Sequence, residues 1–158
     1  MLYLIWIGTL MGIGGTVAMD LWAIVLNRVF GRPRPNWGMP GRWVAHAVRG
    51  TVFHDDIAQA TPVDREFALG WAFHYGVGII YGIVFAVLAG AAWFAAPTFL
   101  PLWLFALVTI LAGWGLLHPG MGLGWFLSKT ASPWTGRGLG LVAHTVFGLG
   151  MWGVVLAL

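Results

Sequence analysis

The residues with the greatest capacity for chemistry in this sequence are five histidines and one aspartate. They are Asp20, His46, His54, His74, His118 and His144. Imidazole and carboxylate groups bind protons, and together they coordinate zinc, iron or copper. An ionisable side chain within a membrane is a candidate functional group by default, because its burial there is unfavourable. No nucleotide, phosphate or Ser-His-Asp motif accompanies them, so the sequence assigns neither a reaction nor catalytic residues.

Four of these residues lie at similar distances along the chain from the charged loops. The separations are seven to eleven residues: Asp20 from Arg28, His74 from Glu66, His144 from Arg137 and His118 from Lys129. At a rise of about 1.5 Å per helical residue, these side chains lie roughly 10 to 16 Å from one membrane face. The sequence therefore predicts a polar layer to which four helices each contribute one side chain.

Glycines flank two of the histidines at a spacing of four residues. The two patterns are Gly70-x3-His74-x3-Gly78 and Gly140-x3-His144-x3-Gly148. Residues four apart share a helix face, and small ones let membrane helices approach closely. The same small residues also leave room for a flat ligand. Helix packing explains such glycines more often than a cofactor slot does.

The elements that must position these residues are predicted to be membrane helices. Of the 158 residues 59% are hydrophobic and only 8% are charged, whereas soluble domains average about 25% charged. A bilayer core of about 30 Å needs about 20 apolar residues in a helix. Four stretches meet this requirement, residues 2–26, 67–93, 98–127 and 138–158. They predict one all-α domain, an integral membrane four-helix bundle surrounded by the lipid bilayer.

The segment of residues 27–66 is too polar to span and holds six of the eight basic residues. Within it, Trp43 to Ala60 is predicted to form an amphipathic helix at the membrane interface, with His46 and His54 loosely on one face. Elsewhere Ala95 to Thr98 predicts a turn, and Pro119 predicts a kink in the third span.

The basic residues also predict an orientation. All eight lie between the first two spans or between the last two, and the net charge is +3. The positive-inside rule places both loops in the cytoplasm and both termini outside. Basic residues beside apolar spans are typical of contact with anionic lipid, so no nucleic-acid partner is expected. The absence of cysteine excludes disulfides and thiolate metal sites.

Short motifs occur along nearly the whole chain. They are Met19-Asp20, Asn36-Trp37, Gly41-Arg42-Trp43 with His46, Phe53-His54, Gly70-Trp71 with His74-Tyr75, Pro119-x-Met121-Gly122, and Ala143-His144 with Phe147-Gly148. Through these motifs the sequence resembles the domain-of-unknown-function family 2938, an uncharacterised family of bacterial inner-membrane proteins. The resemblance implies a multi-span protein of the bacterial inner (cytoplasmic) membrane. It implies no activity.

The first functional hypothesis is a coordinated prosthetic group, with b-type haem preferred, in a redox or electron-transfer role. In an up-down bundle the second and fourth spans are diagonal, so His74 and His144 would face each other at matching depth. Histidines on facing helices are common axial haem ligands. Arg42, Arg49 or Arg137 would meet the propionates, and a redox partner in the membrane would exchange electrons.

Two alternatives remain open. One is a bare zinc, iron or copper ion, or a path for metal ions or protons. Its candidate ligands are Asp20, His46, His54, His74, His118 and His144. The other is a structural or accessory subunit of a membrane complex, in which the polar layer only holds the helices together.

Overall fold

The computed structural model describes residues 1–158, and all of its regular secondary structure is helical. Its α-helices are α1 (Leu2–Phe30), α2 (Gly38–Ala47), α3 (Glu66–Ala95), α4 (Phe99–Ala112), α5 (His118–Gly120) and α6 (Pro133–Ala157). Four helical stretches are long and apolar enough to cross a membrane: α1, α3, Phe99–Gly120 and α6. The predicted all-α class and the four candidate spans are therefore confirmed.

Several helix ends differ from the predicted ones, because local backbone geometry and not hydropathy sets them. The first span continues past residue 26 to Phe30, where Gly31 takes a left-handed conformation (φ 64°) and ends it. The third span stops at Gly120 and not at residue 127, since Gly122 follows with φ 87°. The fourth begins at Pro133 and not at residue 138, because proline is well tolerated in the first turn of a helix.

The third span contains an irregular turn beside its proline. Residues Gly113–Leu117 form a π-helical turn directly before α5. Pro119 has no backbone N–H, and its ring would clash with the carbonyl four residues earlier in a regular helix. The wider π turn relieves that conflict, so α4, the π turn and α5 continue as the 22-residue span Phe99–Gly120. In α3, Gly90 interrupts the regular geometry with φ 69° and ψ 171°.

The predicted amphipathic helix over Trp43–Ala60 is wrong beyond Ala47. The helix present here is α2, and it starts five residues earlier, at Gly38. Gly50 follows with φ 93°, a left-handed conformation that stops the helix. The indole N–H of Trp43 then donates to the carbonyl of Val52 at 2.8 Å, which fixes the reversed chain. The residues from 51 to 65 are held by individual hydrogen bonds and not by a helix.

The chain divides into two compact units, each with its own buried cluster. The first unit consists of Met1–Arg34, Tyr75–Thr109 and Val142–Leu158, and the second of Pro35–His74 and Ile110–Leu141. The buried cluster of the first unit consists of Ile7, Met11, Phe85, Ala86, Leu102, Ala106, Phe147, Met151 and Val155. The buried cluster of the second unit consists of Trp43, Ile57 and Met121.

In the first unit, α1 and α3 are in direct backbone contact at glycines. A Cβ atom on Gly82 would overlap the carbonyl oxygen of Gly8 and lie 2.6 Å from the backbone nitrogen of Gly12. A Cβ atom on Gly78 would overlap the hydroxyl oxygen of Thr16. These glycines therefore serve close helix packing.

We predict that Gly82→Ala destabilises the protein by about 1–3 kcal/mol, because the added methyl group would force two helix backbones apart. The free energy of unfolding in detergent micelles, from a denaturant titration followed by circular dichroism, measures the effect. Gly76→Ala is the matched control in the same helix, since a Cβ atom there would meet nothing within 4 Å. Equal stability of the two variants would contradict the close contact.

Candidate functional site

The site begins where α2 lies against the start of α3 in the second unit. A Cβ atom on Gly41 would overlap the carbonyl oxygen of Glu66 and lie 2.6 Å from the backbone nitrogen of Gly70. A Cβ atom on Gly70 would overlap the carbonyl oxygen of Trp37. Only glycine allows backbones to approach this closely. The contact brings the next residue of α2, Arg42, beside the first residue of α3.

Arg42 is the most highly connected side chain of the site, with five hydrogen bonds. Its Nε and Nη2 each donate to one carboxylate oxygen of Glu66 at 2.8 Å. Its Nη1 donates to the carbonyls of Ile57 at 3.0 Å, Ala58 at 3.2 Å and Ala60 at 2.9 Å. The two side chains are only 12% and 23% exposed. One guanidinium thus fixes the irregular segment 57–60 to the start of α3.

The same contacts stabilise the protonated, charged form of this guanidinium. The hydrogen bond with Glu66 raises the pKa of Arg42 above its usual value and outweighs the opposing effect of burial. Glu66 also accepts a hydrogen bond from the backbone N–H of Val63 at 3.1 Å, and its carboxylate interacts electrostatically with His46. A fixed anion therefore lies near the first histidine of the site.

His46 and His54 are in direct contact. His46 lies in the last turn of α2, and His54 lies in the irregular segment that follows. Nδ1 of His46 is 2.9 Å from Nε2 of His54. The outer nitrogens contact backbone oxygens: Nε2 of His46 is 3.0 Å from the carbonyl of Thr61, and Nδ1 of His54 is 3.0 Å from that of Gly120. The carbonyl of Thr61, the two imidazole rings and the carbonyl of Gly120 therefore lie in one continuous row of hydrogen-bonding contacts.

The number of protons on the two rings is limited by the carbonyl groups at the two ends of this row. A carbonyl oxygen only accepts hydrogen bonds, so each outer ring nitrogen must carry a proton. If both rings were neutral, the two inner nitrogens would face each other with lone pairs at 2.9 Å. A hydrogen bond between them needs a third proton. All three contacts are hydrogen bonds at the same time only if the two rings together carry three protons, one more than two neutral imidazoles carry.

The carbonyl of Gly120 is a favourable acceptor for a positively charged imidazole ring. Its carbonyl accepts from the backbone N–H of His54 at 3.0 Å as well as from the ring. It is the last residue of the third span, and carbonyls at a helix C-terminus carry partial negative charge. A Cβ atom on Gly120 would lie 2.9 Å from the carbonyl oxygen of Val52, so this glycine lets the segment before His54 reach the helix end.

In the first unit, the predicted residues Asp20 and His144 have separate partners. The hydroxyl of Tyr75 donates to Asp20 Oδ2 at 2.8 Å. Nδ1 of His144 lies 2.9 Å from the hydroxyl of Thr109 and 3.0 Å from the carbonyl of Ala106. Because that carbonyl can only accept, the proton of a neutral His144 is on Nδ1 and its Nε2 is an acceptor.

In the second unit, the ring of the predicted ligand His74 stacks on the indole of Trp37, with centroids 3.9 Å apart. His118 opens α5, and its carbonyl accepts from the backbone N–H of Leu123 at 2.9 Å. Arg137, predicted beside haem propionates, donates from Nε to the carbonyl of Phe126 at 2.8 Å. The contacts of His74 and Arg137 are made by their side chains, whereas that of His118 is made by its backbone.

The six predicted ligands are not gathered into a metal site. No three His, Asp or Glu side chains of the chain are placed to hold a metal ion. His46 and His54 are in contact, whereas His74 and His144 belong to different units. The space beside the flanking glycines Gly70 and Gly78 is filled by atoms of neighbouring residues, so it leaves no room for a flat ligand. The haem and bare-metal hypotheses stay predictions.

Sequence reasoning missed the carboxylate that completes the site. In the sequence, Glu66 only marks the charged end of the second span, eight residues before His74. Arg42 is a candidate there for binding haem propionates. The available signal was the Gly41-Arg42 pair together with an acidic residue at the first position of a long apolar helix.

The all-helical fold with four helices long and apolar enough to cross a membrane indicates a membrane protein. The family described as "Protein of unknown function (DUF2938)" matches residues 9–158. The chain therefore belongs to this family, as its motifs indicated. Neither a curated protein nor a solved structure matches it.

We predict that Arg42→Lys lowers the free energy of unfolding by about 2–4 kcal/mol, because an ammonium keeps the charge but cannot reproduce five hydrogen bonds in a fork geometry. Denaturant titration in detergent micelles measures the loss. Arg49→Lys, an exposed arginine just beyond the same helix, is the control and should change stability by less than about 0.5 kcal/mol. If the two variants lose the same stability, Arg42 does not organise the site.

Proposed function

We propose that this protein is a proton-responsive membrane protein whose His46–His54 pair takes up and releases one proton. The observation that carries the proposal is the 2.9 Å contact between the inner ring nitrogens, with both outer nitrogens on carbonyl oxygens. This proposal takes up the proton-path alternative that the sequence left open and extends it to the sensing of protons.

The surroundings favour a pair that holds one proton. The carbonyl of Gly120 supplies the end of a helix dipole on the side of His54. Asp55 and Asp56, both exposed, follow His54 directly in the chain. Arg42 and Glu66 neutralise each other as an ion pair, so they add no net positive charge beside the histidines. The Gly120 carbonyl and the two aspartates therefore favour a single positive charge on the pair.

The same geometry makes the contact sensitive to pH in both directions. With both outer nitrogens protonated, removing the shared proton leaves two lone pairs facing each other, and adding another leaves two N–H groups facing each other. All three hydrogen bonds therefore coexist only while the pair holds one extra proton, because a neutral pair keeps the bond between the rings only by giving up one bond to a carbonyl. Loss of the bond between the rings would remove the direct link between His54 and α2, while Trp43 still holds Val52 and Arg42 still holds residues 57–60. Proton uptake is thus linked to the contact between His54 and α2.

We predict that a double-mutant cycle of His46→Ala and His54→Ala gives a coupling energy of about 1.5–3 kcal/mol where the pair holds one proton. The coupling should be largest inside the range of about pH 5–8, in which histidine changes charge, and should fall towards both ends. Denaturant titration at several pH values measures it. The cycle of His54→Ala with Arg49→Ala should be additive, and a coupling independent of pH would overturn the proposal.

We further propose that the charged loops face the cytoplasm of a bacterial inner membrane. The support is the position of all eight basic residues between 28 and 65 or between 129 and 137, outside the apolar parts of the spans. On this orientation the His46–His54 pair faces the cytoplasmic side. A reporter enzyme fused after Leu158 should be active only as a periplasmic reporter. Activity of a cytoplasmic reporter at that position would reverse the orientation.

A coordinated prosthetic group, with b-type haem preferred, is the second candidate, and one observation favours it. Histidine ligands usually donate their second ring N–H to a carbonyl, as Nδ1 of His144 does to Ala106. His74 would be the second ligand, and a redox partner would exchange electrons with the haem. Absorbance of the purified protein tests this candidate. A Soret band lost in His144→Ala and His74→Ala would support it, and a colourless protein would eliminate it.

A further inference from the structure

Arg137 is held in a fixed position near the start of α6. Its Nε donates to the carbonyl of Phe126 at 2.8 Å. Its guanidinium carbon lies 4.6 Å from the centroid of the Trp134 ring, within the range of a cation–π contact. An arginine fixed at two points loses little further side-chain freedom when it binds a ligand.

The backbone that presents the Phe126 carbonyl is strained. Phe126 and Leu127 have φ angles of 52° and 63°, which are uncommon for bulky side chains. Such a conformation is unfavourable for these residues and persists only where the surroundings enforce it. Burial of Leu127 enforces it here, and a Cβ atom on Gly136 would lie only 2.9 Å from the Leu127 side chain. The turn is therefore held in the conformation that positions Arg137.

The terminal amino groups of this arginine are available for an anion. Both arginine–carboxylate ion pairs, Arg42–Glu66 and Arg65–Asp64, involve other arginines. With Nε occupied by Phe126, the Nη1 and Nη2 groups of Arg137 remain as a pair of donors. Two donors on a planar guanidinium match two oxygens of a phosphate.

The exposed side chains between residues 125 and 137 indicate the kind of phosphate. Trp134 is 80% exposed, Trp125 58% and Phe126 42%, and the ammonium group of Lys129 lies on an exposed side chain in the same loop. Aromatic and basic side chains occur together at the depth of lipid headgroups. Exposed indole surface serves no purpose for a free inorganic ion, but it fits the boundary between headgroup and acyl chains.

We propose that these five residues, the Arg137 platform, bind the headgroup phosphate of an anionic phospholipid. Arg137 donates two hydrogen bonds to the phosphate, Lys129 adds charge, and the aromatic rings lie against the lipid. The platform is independent of the His46–His54 pair, so either proposal can fail alone.

The test uses the full-length protein in nanodiscs of mixed phosphatidylglycerol and phosphatidylcholine, with the bound lipids quantified by native mass spectrometry. The wild-type protein should retain phosphatidylglycerol preferentially. Arg137→Gln should lower that preference about fivefold, the effect of one basic contact at the membrane surface. Arg34→Gln removes an exposed arginine outside the platform and should leave most of the preference intact.

Arg137→Lys separates charge from geometry. It keeps the positive charge but loses the paired donors, so it should fall between the wild-type protein and Arg137→Gln. Circular dichroism checks that each variant keeps its helices. An equal effect of Arg34→Gln and Arg137→Gln would mean that only net charge matters and would overturn the site. Displacement of the retained lipid by millimolar inorganic phosphate would overturn it too, because the platform would then bind a free ion.

Discussion

The second unit depends on the need of one partly buried guanidinium to satisfy its donors. A buried charge is unfavourable unless it is paired and hydrogen-bonded, and Arg42 meets this requirement with one carboxylate and three backbone carbonyls. These acceptors come from α3 and from a segment that has no helix of its own. Satisfying Arg42 therefore fixes the path of residues 57–60, and that path returns Thr61 to His46.

The histidine pair is a consequence of that path. His54 precedes the clamped residues and docks through its backbone and its ring on the carbonyl of Gly120. Gly120 ends the third span because the chain leaves the helix just after Pro119, and its missing side chain leaves room for the carbonyl of Val52. Two independent anchors, Arg42 and Gly120, thus hold His54 against His46. In the proposed state, both outer nitrogens donate to carbonyls and a third proton forms the hydrogen bond between the inner nitrogens.

The apolar spans could be predicted from the sequence because lipid imposes a length and a composition on every spanning helix. The turn between Ala95 and Phe99 was found for the same reason, and the structure confirms it. The sequence did not predict the helix ends at Phe30, Gly120 and Pro133. Single residues, and not average hydropathy, set where these helices begin or end.

The site was harder to predict, since His46 and His54 meet through a non-helical segment. Contacts between a side chain and backbone carbonyls leave no periodic pattern in a sequence. The eight-residue spacing predicted a shared helix face, which was correct about proximity and wrong about its cause. The glycines four residues from His74 were ambiguous in the sequence. Their contacts with Trp37 and Thr16 assign them to helix packing.

The most direct test of this account is a count of protons on the rings of His46 and His54. Nitrogen-15 NMR of the histidine-labelled protein, assigned with His46→Ala and His54→Ala, distinguishes protonated from unprotonated ring nitrogens. The account predicts three protons on the four nitrogens near neutral pH, with a coupling between Nδ1 of His46 and Nε2 of His54 across the hydrogen bond. Two neutral rings with two protons and no coupling would contradict it.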